Sequence, residues 1–348
     1  MVALNTIKAH NAALKSLSPG LVAVFVGGTS GISLTTALSF ARHTTSPRIY
    51  LIGRSQPAAE SAIARIKSLN PAAQTTFLPS DISLLKNVDT ACAEIAKKEK
   101  TVNILFMTAG YMTLKGRDET AEGLDRKFVL HYYARMRFVN RLLPLLTTAS
   151  KEGILSRVVS VLDPIVSIRT GGAGKLNFED LSLKHTFSLK TCGDHASLMN
   201  NFYLEGLARA HPGTSFIHAY PSGVDTGLMR EIPGWKVVRG LVWVIFRWFL
   251  VPVEESGERH LFAATAGRFP SKAESQLQLQ TREGDDEVAV AMGSDGVKGS
   301  GCYWLNWNGE VFGQNKKLER TRAEGAVDKV TVHTEEVFRR VLDEGRYP

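Results

Sequence analysis

The chain has 348 residues, of which 44% are apolar and 22% charged, and it carries a formal net charge of +8. This composition is that of an ordinary globular protein and excludes a disordered, collagen-like or coiled-coil chain. The basic excess is spread along the sequence rather than clustered, which favours a basic enzyme over a nucleic-acid-binding protein.

Predicted strands and helices alternate through the first two thirds of the chain. Residues 1–20 predict a short amphipathic helix and lack the apolar core of a signal peptide. The predicted strands are residues 21–26, 48–52, 75–78, 102–106, 157–161 and 215–220. The predicted helices between them are residues 32–43, 58–69, 84–98, 124–146 and 196–210. This alternation indicates an α/β fold with a doubly wound parallel sheet, whose ligands bind outside the carboxyl ends of the strands.

The last third of the chain is less regular. Residues 301–312 predict a hairpin around Asn308-Gly309, and residues 335–343 predict a final helix. The apolar and aromatic residues 237–251 are interpreted as a lid over the substrate, with a membrane-interface contact or an oligomer contact as the alternatives. We predict three parts of the chain: an N-terminal helix (1–20), an α/β domain (21–230), and a lid with a C-terminal extension packed on that domain (231–348).

The cysteines indicate the redox compartment. Cys92, Cys192 and Cys302 lie far apart and form no CxxC pair. This spacing predicts neither a metal site nor a disulfide framework, and it favours a cytoplasmic protein. No apolar run is long enough to cross a bilayer, so the sequence predicts no transmembrane helix.

A glycine-rich turn, Gly27-Gly28-Thr29-Ser30-Gly31-Ile32, stands between the first apolar strand and its helix. Glycines let the backbone approach a pyrophosphate, whose charge is met by the free N–H groups of the helix. This placement predicts a nucleotide cradle, and a plain structural turn is the alternative. Arg54 follows the second strand, where a guanidinium can bind a 2′-phosphate. NADP(H) is therefore favoured over NAD(H), and a solvated Arg54 is the alternative.

These features resemble the short-chain dehydrogenase/reductase family. The shared motifs are Gly27-x-x-x-Gly31-Ile32, Gly53-Arg54, Asp81-Ile82, Ala109-Gly110 and Pro221…Thr226. The resemblance covers roughly residues 21–226 and implies a Rossmann fold with NAD(P)-dependent interconversion of carbonyls and alcohols. It implies that Asp81 and Ile82 flank the adenine and that residues 221–226 run beside the nicotinamide. The predicted cofactor-binding residues are Gly27, Thr29, Ser30, Gly31, Ile32, Arg54, Ser55, Asp81, Ile82, Ala109, Gly110, Pro221, Val224 and Thr226.

The sequence departs from the family pattern at several places. Ser33 replaces the third glycine, Met107-Thr108 replace two asparagines, and Ser222 follows Pro221 where the family has glycine. The proton relay is also missing. Its Tyr-x-x-x-Lys falls on Gly193 and Ser197, its Ser on Asp163, and its helical Asn on His131.

Five residues are candidates for the missing acid or base: His131, Tyr132, Tyr133, His195 and Asp163. His131 shares a helical face with Arg135, and an imidazole titrates near neutrality. Helical spacing prevents His131, Tyr132 and Tyr133 from all pointing into one pocket, so core packing is their alternative. His195 alternatively caps or packs, and Asp163 alternatively lies solvated in a loop. A literal Tyr-x-x-x-Lys at 111–115 lies in a loop after the fourth strand, and borders the pocket or acts as a relocated relay.

Three functions stay open at this stage. The first is an NADPH-dependent reductase of a bulky hydrophobic ketone or aldehyde with an atypical proton donor. The second is a nucleotide-bound cyclase, isomerase or dehydratase that uses His131 or His195. The third is a non-catalytic NADP-binding sensor or scaffold. A fold alone does not decide among them.

Overall fold

A seven-stranded parallel sheet forms the centre of the part of the chain that the structure describes. The computed structural model describes residues 1–230, 232, 234, 240, 250–281 and 289–348. Its strands are β1 (Val22–Val26), β2 (Arg48–Gly53), β3 (Gln74–Pro79), β4 (Ile104–Met107), β5 (Arg157–Val161), β6 (Ser215–Ala219) and β7 (Cys302–Leu305). Their order is β3-β2-β1-β4-β5-β6-β7, and all neighbours are parallel. The order reverses between β1 and β4, which places the ligand crevice at their carboxyl ends.

Helices cover both faces of the sheet. They are α1 (Leu4–Ala13), α2 (Gly31–His43), α3 (Gln56–Leu69), α4 (Leu85–Lys98), α5 (Ala134–Lys151), α6 (Leu189–Ala210), α7 (Val253–Thr265), α8 (Lys272–Thr281), α9 (Lys316–Ala323) and α10 (Ala326–Asp343). Val22 and Val24 face a core with α4, α5, α6 and α10, whereas Ala23 and Phe25 face a second core with α1, α2, α3 and α7. Strand β1 is therefore buried on both of its faces, which agrees with its uninterrupted apolar sequence. The predicted doubly wound Rossmann-type fold is confirmed.

The segment before α5 is not a regular helix. Asp125 caps a short helical turn, Arg126–Phe128, by accepting a hydrogen bond from the Phe128 N–H at 2.9 Å. A turn of π-helix, Val129–Tyr133, then leads into α5. The prediction of one helix over 124–146 is right in position but misses this turn. Single π-helical turns often occur at functional sites, because they redirect consecutive side chains.

The C-terminal part shares the sheet with the α/β part. β7 pairs with β6, and a turn at Asn308-Gly309 returns the chain so that Val311 bridges Leu305 antiparallel. The first strand of the predicted hairpin is β7, which joins the parallel sheet. Its second strand is reduced to the single antiparallel bridge at Val311. The final helix begins at Ala326, earlier than predicted.

The predicted lid falls largely outside the described residues. Of residues 237–251, the structure describes only 240, 250 and 251, where Val251 forms a bridge with Val224. The lid, membrane-interface and oligomer interpretations of this segment therefore stay predictions. Among the described helices, none has the length and apolar character needed to cross a bilayer.

Candidate active site

A cleft of about 830 Å³ opens at the carboxyl ends of the central strands. Most of the predicted cofactor-binding residues line it. They are Gly27, Thr29, Ser30, Gly31, Ile32, Arg54, Asp81, Ile82, Ala109, Gly110, Pro221 and Thr226. Ser55 and Val224 are not among the lining residues. Ser55 instead caps α3 by accepting from the Ala58 N–H at 3.3 Å, and Val224 pairs with Val251.

The glycine turn is shaped so that backbone, rather than side chains, faces the cleft. Gly27 has φ +83° and Gly31 has φ +57°, a region that favours glycine. A Cβ atom on Gly27 would lie 3.1 Å from the backbone nitrogen of Ala109, and one on Gly31 would lie 3.3 Å from Cγ2 of Thr226. The cap residue of α2, Ser30, makes no side-chain cap bond, which leaves the first N–H groups of α2 for an anion. The cradle therefore fits a pyrophosphate.

Two departures from the family pattern leave this cradle intact. Ser33 is fully buried, and its hydroxyl has no hydrogen-bond partner among the described residues. Ser222 adopts φ +63°, the left-handed conformation in which the family places glycine. The backbone path is thus retained although both glycines are absent.

The far end of the cleft carries the groups that suit the adenosine half of a nucleotide. Arg54 is exposed at the rim, directly after β2. Asp81 is held in place by the Ser83 N–H and hydroxyl, which donate to its Oδ1 at 3.1 and 2.8 Å. A cationic rim beside the cradle fits a phosphorylated ribose.

Arg135 forms the floor of the cleft as a buried cation. Its Nη1 donates to the Ser160 hydroxyl and to the Val161 carbonyl, both at 2.9 Å, and its Nη2 donates to the Ala109 carbonyl at 2.9 Å. The side chain is 1% exposed, and no carboxylate pairs with it among the described residues. Burial lowers the pKa of Arg135 to about 9, so it stays charged at neutral pH. It ties the ends of β4 and β5 together.

His131 is the one predicted acid or base of the π-helical turn that lines the cleft. Its ring packs on Gly110, and its carbonyl accepts from Nδ2 of Asn200 at 2.9 Å. Burial, followed by the nearby charges of Arg135 and Lys127, lowers the pKa of His131 well below its usual value. The imidazole is therefore neutral at neutral pH and lacks a readily donated proton.

Three other predicted candidates lie away from the cleft. The hydroxyl of Tyr132 bonds Thr334, and that of Tyr133 bonds His333 at 2.8 Å, so both turn toward α10. Burial raises the pKa of each phenol above its usual value. The Nε2 of His195 accepts from the Asn177 N–H at 3.1 Å, with the Leu181 carbonyl 3.5 Å from Nδ1. Tyr132 and Tyr133 therefore pack in the core, which was the alternative for both. His195 holds the loop that contains Asn177 and Leu181.

Asp163 lines the cleft at the end of β5, but its carboxylate is engaged. It accepts from the Ile165 N–H at 3.0 Å and from Nε of Arg169 at 2.9 Å. Ser197, at the position expected for the family's Lys, donates to the Asp163 carbonyl at 2.5 Å. At the expected Tyr position, a Cβ on Gly193 would meet no heavy atom within 4 Å. The usual relay is therefore missing in the folded protein as well.

Several lining residues were not predicted as site residues. Tyr220 follows β6, and the guanidinium carbon of Arg169 lies 4.2 Å from its ring centre. The loop with Tyr111 borders the cleft, as one sequence interpretation held, and its Met112 N–H donates to the Leu228 carbonyl at 2.9 Å. Lys115 of the same loop also lines the cleft, and the charged lining residues that the sequence analysis did not name are Asp118, Arg126 and Arg230.

Comparisons with known proteins identify the family of the chain. The family model described as short chain dehydrogenase matches residues 21–165. Oxidoreductase AN1596 of Emericella nidulans is 41% identical, with 97% of this chain and 98% of that protein covered. Oxidoreductase andH of Emericella variicolor is 33% identical, with 98% of each chain covered. Polyprenol dehydrogenase of Mus musculus is 26% identical, with 82% of this chain and 85% of that protein covered.

Solved structures share the fold at low identity. NADPH-bound carbonyl reductase from chicken fatty liver is 17% identical with a TM-score of 0.53, and 85% of this chain and 100% of that chain are covered. NADH-dependent reductase A1-R′ complexed with NAD is also 17% identical with a TM-score of 0.51, over 73% of this chain and 91% of that chain. With a full-length relative at 41% identity, the chain is an oxidoreductase-type member of the short-chain dehydrogenase/reductase family.

Proposed function

We propose that this protein is an NADP(H)-dependent oxidoreductase that interconverts carbonyl and hydroxyl groups on a bulky hydrophobic small molecule. The observation that carries the proposal is that the glycine cradle and Arg54 line one cleft. A bound nicotinamide would supply or accept the hydride. The protein supplies the cradle, the shape of the cleft and the groups that handle the proton.

The preference for NADP(H) rests on Arg54. A guanidinium at the end of β2 can make charge-assisted hydrogen bonds to a 2′-phosphate, whereas an acidic residue there would repel it. Residues 27–32 would hold the pyrophosphate, and Asp81 with Ile82 would flank the adenine. The structural neighbours include both an NADPH-bound and an NAD-bound reductase, so the preference depends on this side chain rather than on them.

The hydrophobic substrate is supported by the other end of the cleft. Met112, Leu130, Leu162 and Leu228 line it. Apolar walls with a few polar groups are typical of sites for hydrophobic small molecules. Polyprenol, in the name of the mouse relative, is a long apolar alcohol, which agrees with such a substrate class.

The test is turnover of purified protein with NADPH and a panel of isoprenoid and polycyclic aldehydes and ketones, followed by NADPH absorbance. We expect substrate-dependent oxidation of NADPH, and slower oxidation of NADH. Conversion of a panel compound without a change in NADPH would support the non-redox alternative instead. Nucleotide binding without conversion of any compound would support the sensor alternative.

A further inference from the structure

Three side chains form a cluster where β5 and β6 end. Tyr220 follows β6, and its N–H donates to the Leu305 carbonyl of β7 at 2.8 Å, which fixes its backbone to the sheet. Arg169 stacks on the Tyr220 ring at 4.2 Å and donates from Nε to Asp163 at 2.9 Å. Tyr220 and Asp163 both line the cleft. A phenol and a cation thus meet at the side of the cleft where the family's Ser, Tyr and Lys are expected.

We propose, on the basis of the proposed function, that Tyr220 is the catalytic residue that protonates the substrate oxygen during reduction. Arg169 is a positioning residue that stabilises the resulting phenolate. Arg169 would thus take the place that the missing Lys holds beside the missing Tyr in the family.

The arrangement around Arg169 is suited to that role. Its guanidinium carbon lies 4.2 Å from the centre of the Tyr220 ring and 5.9 Å from that of the Phe312 ring, and Asp163 forms an ion pair with it. A stacked and ion-paired guanidinium loses fewer conformations when it stabilises a neighbouring anion than a freely rotating ammonium would.

Other described groups at the cleft are less suited to give up a proton. His131 is neutral because its pKa is lowered by burial and nearby positive charge. Asp163 is an ion-paired acceptor, and Arg135 directs its N–H groups at backbone carbonyls and Ser160. The hydroxyls of Tyr132 and Tyr133 are bonded outside the cleft.

A carbonyl carbon that received a hydride from a bound dihydronicotinamide would place its C=O electron pair on the oxygen. The Oη–H bond of Tyr220 breaks, and its proton forms the new O–H bond of the alcohol. The phenolate that remains beside Arg169 takes a proton from water, which restores the phenol. In the oxidation direction, the same phenolate would accept the proton of the alcohol.

The experiment compares Tyr220→Phe with Tyr347→Phe, a matched loss of one phenol hydroxyl near the C-terminus. We expect Tyr220→Phe to bind NADPH as the wild type does in calorimetry, while its turnover falls by about 10²–10⁴-fold. Tyr347→Phe should keep both properties. If the wild type oxidises NADPH with a carbonyl compound and Tyr220→Phe does so equally fast, the assignment of Tyr220 is overturned.

Arg169→Met and Tyr111→Phe complete the test. Arg169→Met should lower kcat with little change in KM, and Arg169→Lys should partly restore kcat. A fall in kcat that Arg169→Lys does not restore at all would contradict the role of a cation beside Tyr220. Loss of turnover in Tyr111→Phe with retention in Tyr220→Phe would assign the donor to Tyr111. If the wild type itself oxidises no NADPH with any compound, the proposed function fails, and this assignment fails with it.

Discussion

A Cβ atom on Gly110 would lie 2.5 Å from Nε2 of His131, so the imidazole ring packs directly on the backbone after β4. His131 is buried in the π-helical turn and has little room to move aside. This contact connects the loop after β4 with the π-helical turn before α5. Gly110 of that loop and His131 of that turn both line the cleft.

Gly110→Ala should therefore weaken NADP(H) binding. The new methyl group must displace the imidazole or the loop, and overpacking of this kind costs about 1–3 kcal/mol. If this cost falls on the bound state, the affinity drops roughly 5- to 150-fold. Calorimetric titration with NADPH measures the change. Gly193→Ala is the matched control, because a Cβ there meets no heavy atom within 4 Å. That variant should bind normally and gain about 0.5–1 kcal/mol of stability, since Gly193 lies within α6. Equal affinities in the two variants would contradict the packing argument.

Arg54→Ala should reduce the affinity for NADPH without reducing that for NADH. Loss of a hydrogen bond to a charged group costs about 1.5–3 kcal/mol, which is roughly 10- to 150-fold in the dissociation constant. Parallel titrations of the wild type and the variant with both nucleotides measure this difference. Arg65→Ala, on the neighbouring helix α3, is the control for a general loss of positive charge. A uniform loss of affinity for both nucleotides would show that Arg54 does not recognise the 2′-phosphate.

Arg135→Met should destabilise the fold. The substitution removes the donor to the buried Val161 carbonyl and to the part-buried Ala109 carbonyl, and a buried carbonyl left unpaired costs about 1–3 kcal/mol. Urea unfolding at neutral pH measures the loss. Arg339→Met on the exposed face of α10 is the control and should change stability by no more than about 0.5 kcal/mol. Unchanged stability of Arg135→Met would show that the guanidinium does not clamp β4 to β5.

The free energy of unfolding should fall as the pH drops below about 6.5. Burial lowers the pKa of His131 and His218 well below the usual value and that of His260 to about 4. As the pH falls, each of these histidines is protonated in the unfolded chain before it is protonated in the folded protein. Each therefore lowers the free energy of unfolding by up to about 1.4 kcal/mol per pH unit, until the pH reaches its pKa in the folded protein. Above the unfolded pKa this contribution is constant.

Urea unfolding at pH 7 and pH 5, in buffers of equal ionic strength, tests this pH dependence. His260→Gln should reduce the difference between the two pH values, because it removes a buried imidazole whose pKa is lowered to about 4 by burial. His185→Gln, at an exposed position, serves as the surface control. An unchanged difference in His260→Gln would contradict the assignment.

The lining of the cleft around the glycine turn could be predicted from the sequence because consecutive residues build it. An apolar strand followed by Gly27 and Gly31 fixes both the turn and the helix N-terminus, and these contacts are local. Ser222 adopts φ +63° although it is not a glycine. Motif spacing therefore predicted most of the residues that line this part of the cleft.

The contact between Arg169 and Tyr220 could not be predicted in the same way because it is tertiary. Arg169 and Tyr220 lie on different elements and meet only when β5 and β6 are side by side. The π-helical turn directs Tyr132 and Tyr133 toward α10, whose Thr334 and His333 receive their hydroxyls. Helical spacing showed that the three residues of that turn cannot share a pocket, but it did not show which of them faces the cleft.

The most direct test of this account is a calorimetric titration of the folded wild-type protein with NADPH, NADP⁺, NADH and NAD⁺. The account predicts heat of binding at one site per chain, with the phosphorylated nucleotides binding more tightly than their unphosphorylated counterparts. Absence of binding heat for all four nucleotides at several temperatures would contradict the assignment of the cleft as a dinucleotide site.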